Sequence, residues 1–190
     1  MTAEQLQKLI EQYLKLFPAE RERLQLLLDQ LAAGEKMDDR YNFRGHITGS
    51  GLVISPNRAK VLLIHHKGSG NWQQPGGHWE DEADESPLDA ARREVIEETA
   101  AQLEAYVPFD AERMLLPLDI DTHWIPHPRH ADEQPHYHHD FLYAFVASSE
   151  GVAHQAEEVH GAAWFALDAP ECGHPKMQRA LTKLRTHDLI

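Results

Sequence analysis

Cysteine is almost missing from this chain: Cys172 is the only one, so no disulfide can form within the molecule. Basic residues are also scarce, 18 against 31 acidic ones, and the formal charge of −13 at neutral pH excludes polyanions such as a nucleic-acid polymer or an acidic membrane surface as partners. A small anion is still acceptable if a cation stands between. Long apolar runs are missing as well, so no segment reads as a bilayer span. The opening MTAEQLQKLIEQYL has neither the basic head nor the apolar stretch of a signal peptide, and with the solitary thiol it points to a soluble cytoplasmic protein. What is present is 190 residues, 42% hydrophobic, enough for one sizeable core and a small appendage but not for two full domains.

The appendage is expected at the start, residues 1–36. Leu6, Leu9, Ile10, Tyr13, Leu14 and Phe17, then Leu24, Leu27, Leu28 and Leu31, recur at helical spacing on either side of Pro18 and stop at Gly34. This predicts a helical hairpin packed on the main domain or on a second copy of the chain, which makes a homodimer one expectation. From residue 37 to 190 the pattern is mixed. ITGSGLVIS and KVLLIHH flank Ser55-Pro56-Asn57-Arg58 and read as paired strands, with further strands over Met114 to Ile120, Phe141 to Ala147 and Val159 to Leu167. A Pro- and His-rich loop is expected from Asp121 to Gln134, and a last helix from Pro175 to His187. Strands with helices inserted between them predict an α/β (α+β) sandwich.

The most informative stretch is GGHWEDEADESPLDAARREVIEETA, Gly76 to Ala100. Ser86 caps a helix whose first residue is Pro87, with Asp89 at its third position completing a capping box. At about 100° per residue, Glu97 and Glu98 fall on either side of Glu94, so three carboxylates share one helix face. Ala90 and Ala91 leave room on the turn before them, and Leu88, Val95 and Thr99 can pack on the sheet. By spacing alone such a cluster reads first as a solvated acidic face. Arg93 sits about a quarter turn away from it. Repulsion among like charges calls for a neutralising partner, and hard divalent cations prefer such oxygen clusters. Upstream, Gly76 and Gly77 permit close backbone approach, and a carbonyl exposed there could complete a metal site; Glu80 and Glu85 add carboxylates nearby.

Gly77, Glu85 and the run Arg93-Glu94-Val95-Ile96-Glu97-Glu98-Thr99 resemble the signature of Nudix hydrolases, in which Gly, Glu and an Arg-Glu-x-x-Glu-Glu core stand at set spacings. The resemblance extends over roughly Phe43 to Leu167 and includes Val159, Trp164, Phe165 and Leu167 near its end. It implies a Nudix-like α/β/α sandwich with a mixed sheet. It also implies a metal-dependent enzyme that cleaves a diphosphate linkage in a nucleoside diphosphate derivative by attack of water on phosphorus. Carried over residue by residue, Glu94, Glu97 and Glu98 hold Mg²⁺ or Mn²⁺ with the main-chain carbonyl of Gly76 or Gly77, while Arg93 orients a carboxylate and Glu85 is structural in the motif. The catalytic base is Glu94, Glu98 or a glutamate outside the signature, with Glu157 and Glu158 as the outside candidates. Two positions depart from the pattern: seven residues rather than five separate Gly77 from Glu85, and Ala100 replaces the closing Gly. The first lengthens the loop carrying Trp79 and Asp81. The second requires the helix either to end differently or to continue.

A second unusual feature is histidine-rich. His123, His127, His130, His136, His138 and His139 crowd together ahead of Asp140. Strand alternation places His136, His138 and Asp140 on one face and His139 on the other, with His123 within reach from a neighbouring strand. The group reads either as solvated and hydrogen-bonded loop histidines, as contacts for phosphate, or as a transition-metal site. His65 and His66 share that ambiguity. Trp72, Trp124 and Tyr137 can stack on a base or simply anchor packing, which makes Trp72, His123, His136 and His138 the candidate substrate contacts. The rival to the enzyme is a non-catalytic module of the same fold that binds a nucleotide or a protein.

Overall fold

The structure is a computed structural model, and it describes residues 1–80, 83–106, 109–111, 114–126, 134–153 and 159–190. The chain opens with α1 (Ala3–Leu16) and α2 (Gln25–Ala32), separated by two 3₁₀ turns, Pro18–Glu20 and Glu22–Leu24. Strands β1 (His46–Ile54), β2 (Lys60–His66), β3 (Trp72–Gln73) and β4 (Gly76–His78) lead into α3 (Pro87–Thr99). Then come β5 (Leu103–Tyr106), β6 (Phe109–Ala111), β7 (Met114–Leu116), β8 (Asp119–Ile125), β9 (His136–Ala147) and β10 (Val159–Ala166), and α4 (Pro175–Thr186) closes the chain.

Among the described residues eight strands make one mixed sheet, ordered β10-β2-β1-β9-β5, with β3 on β2, β4 on β1 and β8 on β9. Its central pair, β1 and β9, is parallel, and every other pairing is antiparallel. Successive strand residues point to opposite faces, which sorts the helices. On one face, a Cβ on Gly49 would lie 2.5 Å from the Pro87 carbonyl oxygen and 2.6 Å from the Ala91 nitrogen. The room beside Ala90 and Ala91 is therefore taken by β1 itself, and the glycine is what lets α3 settle on the sheet. His139, on this same face, bonds Gln30 of α2 at 2.9 Å. On the other face Lys176 of α4 pairs with buried Asp140. Helices thus cover both sides.

The first helix starts as its sequence dictates, with a capping box in which Gln5 N–H donates to Thr2 Oγ1 at 3.2 Å and Thr2 N–H to Gln5 Oε1 at 2.8 Å. Leu9, Ile10, Tyr13, Leu24 and Leu27 enter the same apolar cluster as Leu52, Leu62, Phe141 and Leu181. A buried charge network ties the ends of the chain to β8. Asp119 accepts from Arg23 at 2.9 Å, from Arg179 at 2.9 Å and from Lys183 at 2.7 Å. Three cations around one fully buried carboxylate offset its desolvation.

Two expectations need correction. Met114 to Ile120 is not one strand: Pro117, which lacks a donor for the ladder, separates β7 from β8. The loop expected from Asp121 begins later, because β8 continues to Ile125 in register with β9, Asp121 opposite Asp140 and Ile125 opposite His136.

Candidate functional site

Helix α3 begins at Ser86, whose Oγ accepts the Asp89 N–H at 3.4 Å and donates to the Asp89 carboxylate at 2.7 Å. That start sets the phase of the glutamates, and the surroundings grade them. Glu98 is buried at 5% exposure and accepts the Gly76 N–H at 2.9 Å. The Glu94 side chain is 13% exposed and that of Glu97 51%. A Cβ on Gly77 would lie 2.3 Å from Glu94 Oε1, so the carboxylate occupies space that any other residue at 77 would fill. The two glycines expected in a turn instead open strand β4, and there they hold two of the three carboxylates, one through its missing side chain and one through its amide.

Arg93 does not stay a quarter turn away. Its long side chain wraps round, and one guanidinium nitrogen donates to Glu94 at 2.9 Å and to Glu97 at 3.2 Å. The rest of the guanidinium grips Asp84 at 3.2 and 2.9 Å and the His78 carbonyl at 2.9 Å. Burial alone would lower its pKa, but the bonds to Asp84 and the charge of Glu94 outweigh this and raise it. The cation stays charged and links turn, loop and helix. Asp84, with a side chain only 1% exposed, was not singled out in the sequence. Glu85 is exposed, and what the structure shows it offering is its carbonyl, to the N-terminal amine at 2.6 Å. The lengthened loop folds inward: Trp79 is buried and its indole N–H donates to the Asp84 carbonyl at 3.0 Å, while Glu80 N–H donates to the Asp84 carboxylate at 2.9 Å. The helix ends at Thr99, with Ala100 in the left-handed region at φ 50°.

A cleft of about 1360 Å³ lies against the turn and the carboxylates, and its far wall is histidine. In the parallel ladder His46 stands opposite His138, and in the β1–β4 ladder His78 stands opposite Thr48, two residues from His46 on the same face. With His136 they form a group of four imidazoles, one nitrogen of each lying within 4.8 Å of the others. His46 and His78 were missed in the sequence. No local signal joins them to the run 123–139, since the register of β1 against β9 and β4 brings them together. Burial, then the neighbouring His78 and His46, hold the His138 imidazole far below the usual range. His139, on the opposite face, is held down to about 3 mainly by burial and bonds Thr122 at 2.9 Å as well as Gln30.

His123 lines the cleft, pairs with Asp121 at 3.2 Å and has its ring centroid 5.7 Å from that of His138. Burial would raise the Asp121 pKa, but the hydrogen bond from His123 and the charges of Lys176 and Arg179 hold it well below the usual carboxylate range. Trp72 also lines the cleft, with its ring against Phe165 at 4.8 Å and His65 at 5.2 Å. Trp124 and Tyr137 stack on each other at 4.9 Å on the face away from His123 and His138. Glu157, Glu158, His127 and His130 lie outside the described residues.

Residues 45–184 match the NUDIX domain family. Among solved structures the chain resembles a hydrolase of the NUDIX family from Clostridium perfringens, 24% identical over 76% of this chain and 97% of that one, with a TM-score of 0.53. It also aligns with a MutT NUDIX hydrolase from Burkholderia pseudomallei, 21% identical over 74% of this chain and 98% of that one at TM-score 0.48. A third alignment is with a C. elegans Ap4A hydrolase in a binary complex, 17% identical over 74% of this chain and 96% of that one at TM-score 0.49. At 24% identity, what is shared with the Clostridium perfringens structure is the α/β fold.

Proposed function

Because the chain belongs to the Nudix family, we propose that it is a hydrolase of phosphorus-containing anhydrides, cleaving the diphosphate linkage of a nucleoside diphosphate derivative by attack of water on phosphorus. The observation that carries this reading is the fit of the Glu94 carboxylate into the space a side chain at Gly77 would fill, beside Glu98 held by the Gly76 amide. Oxygen donors so crowded suit Mg²⁺ or Mn²⁺, and Glu94, Glu97 and Glu98 with the carbonyl of Gly76 or Gly77 would hold the ion. When bound, such a cation offsets the repulsion between a diphosphate and an acidic cleft and supplies Lewis-acid stabilisation of the charge that develops on phosphoryl oxygens.

Arg93 keeps Glu94 and Glu97 from splaying apart, and its grip on Asp84 fixes it in turn. Glu98 is oriented before substrate arrives, which lowers the cost of organising the site. The proton of the attacking water goes to Glu94, Glu98 or Glu158. Trp72 and His123 line the cleft where the nucleotide end of a substrate would lie.

The test is a panel of nucleoside triphosphates, nucleotide sugars, ADP-ribose and dinucleoside polyphosphates with Mg²⁺ or Mn²⁺. Turnover of at least one class is expected, falling at least about 100-fold in Glu97→Gln, with ¹⁸O from labelled water appearing in a phosphate product. No turnover on the whole panel would replace this reading with that of a nucleotide-binding module.

A further inference from the structure

The hydrolase reading uses one wall of the cleft and leaves the other unexplained. There, four imidazoles from three strands converge, and in two of them a bond at the far side says which nitrogen faces inward. His136 Nδ1 lies 2.6 Å from the Gln134 carbonyl and His46 Nδ1 3.3 Å from the Asn42 carbonyl. A carbonyl has no proton to give, so Nδ1 carries the hydrogen in both rings and Nε2 presents a lone pair. Such a carbonyl behind the ring is the usual partner of a metal-ligating histidine, fixing both tautomer and orientation. His136 Nε2 and His138 Nε2 are 2.9 Å apart, and two nitrogen lone pairs cannot face each other at that distance without a proton or a cation between them. In a tetrahedral zinc site the ligand nitrogens stand about 3.4 Å apart, a spacing bracketed by the 2.9 Å of this pair and the 4.8 Å limit of the whole group.

We propose that His46, His78, His136 and His138 form a binding site for a borderline divalent transition ion of the Zn²⁺ type, separate from the hard-cation site on Glu94, Glu97 and Glu98. Nitrogen donors select zinc over magnesium, whereas the carboxylate wall has the opposite preference. Four protein ligands fill a tetrahedral shell, so the ion is a clamp and not a generator of hydroxide. It joins β1, β4 and β9, and because His78 follows Gly77 it fixes the strand against which Glu94 rests. The inference goes beyond the hydrolase reading and does not depend on it.

The experiment takes the full chain, stripped with chelator and free of nucleotide, and titrates it with Zn²⁺ by calorimetry and with Co²⁺ by visible absorption. One Zn²⁺ per chain is expected, unaffected by millimolar Mg²⁺, together with the intense d–d bands of tetrahedral cobalt. His138→Ala should weaken uptake at least about 100-fold, and His78→Ala, on the short β4, does the same where the first variant fails to fold; Glu97→Gln leaves uptake unchanged. Absence of Zn²⁺ uptake by the unaltered chain overturns the proposal. So does uptake that survives both histidine variants and disappears with Glu97→Gln, which would put the ion on the carboxylates. A chain that takes up zinc through the histidines but hydrolyses nothing would sink the hydrolase reading alone.

Discussion

The two walls of the cleft reach the same end, a cluster of electron-pair donors, by different routes. On α3 the donors are neighbours in sequence, brought to one face by the helical repeat and held there by Arg93 and two glycines. On the strands they are distant in sequence, brought together by pairing of β1 with β9 and β4, and two of the rings, His46 and His136, are steered by a carbonyl on the far side. The carboxylates repel one another at neutral pH and need a counter-charge. The imidazoles, buried or half-buried, need only a common acceptor for their lone pairs. A helix face thus sets its donors side by side before the fold orders them, while a site spread over strands exists only once the sheet has formed.

The sharpest way to break this comparison is to add one methyl group at each of two paired sheet glycines beneath α3. Gly77→Ala meets the end of the Glu94 side chain, which can swing away, so turnover should fall about 100-fold, roughly 2.7 kcal/mol of barrier, with little change in the urea midpoint. Gly49→Ala meets the backbone of Pro87 and Ala91, which cannot, and should cost about 1–3 kcal/mol of stability by pushing the whole helix from the sheet. If the two variants lose stability equally, Gly77 is holding the fold and not the carboxylate.

A smaller effect sharpens the strand side. The Asp121 carboxyl is held below its usual range, so its contribution to stability is complete above the unfolded value near pH 4 and is lost as the pH falls from there toward the folded one. Unfolding free energy should decline by about 1.4 kcal/mol per pH unit on this limb for one such proton, and Asp121→Asn should flatten the limb in a urea titration between pH 4 and pH 2. An unchanged slope would mean that His123, Lys176 and Arg179 do not hold the charge. The smallest effect is expected at the end of α3. Ala100 occupies a left-handed conformation that favours glycine, and Ala100→Gly should raise stability by about 0.5–1 kcal/mol, visible as a rise in melting temperature.

Much of the helix wall was legible before any coordinates. Ser86 and Pro87 mark where α3 starts, the spacing of Glu94, Glu97 and Glu98 gives their common face, and the glycines announce a close approach. The reach of Arg93 and the partnership with Asp84 were not legible, because a rotation about the helix axis says where a side chain leaves the backbone and not where a long guanidinium ends. Pro117 divided a run that hydrophobicity alone had joined. For the strand wall only half was visible: alternation put His136 and His138 on one face, but nothing local pointed to His46 or His78.

The sequence by itself determined the helices, the Ser86 start of α3, its acidic face and the family signature, since each depends on residues within a few turns of one another, where backbone geometry leaves little freedom. The tertiary structure alone decided which face of the sheet α3 covers, which loop residue holds Arg93 and which four histidines meet. The meeting of the histidines rests on strand register, and a one-residue slip of a strand would have turned its histidines to the opposite face.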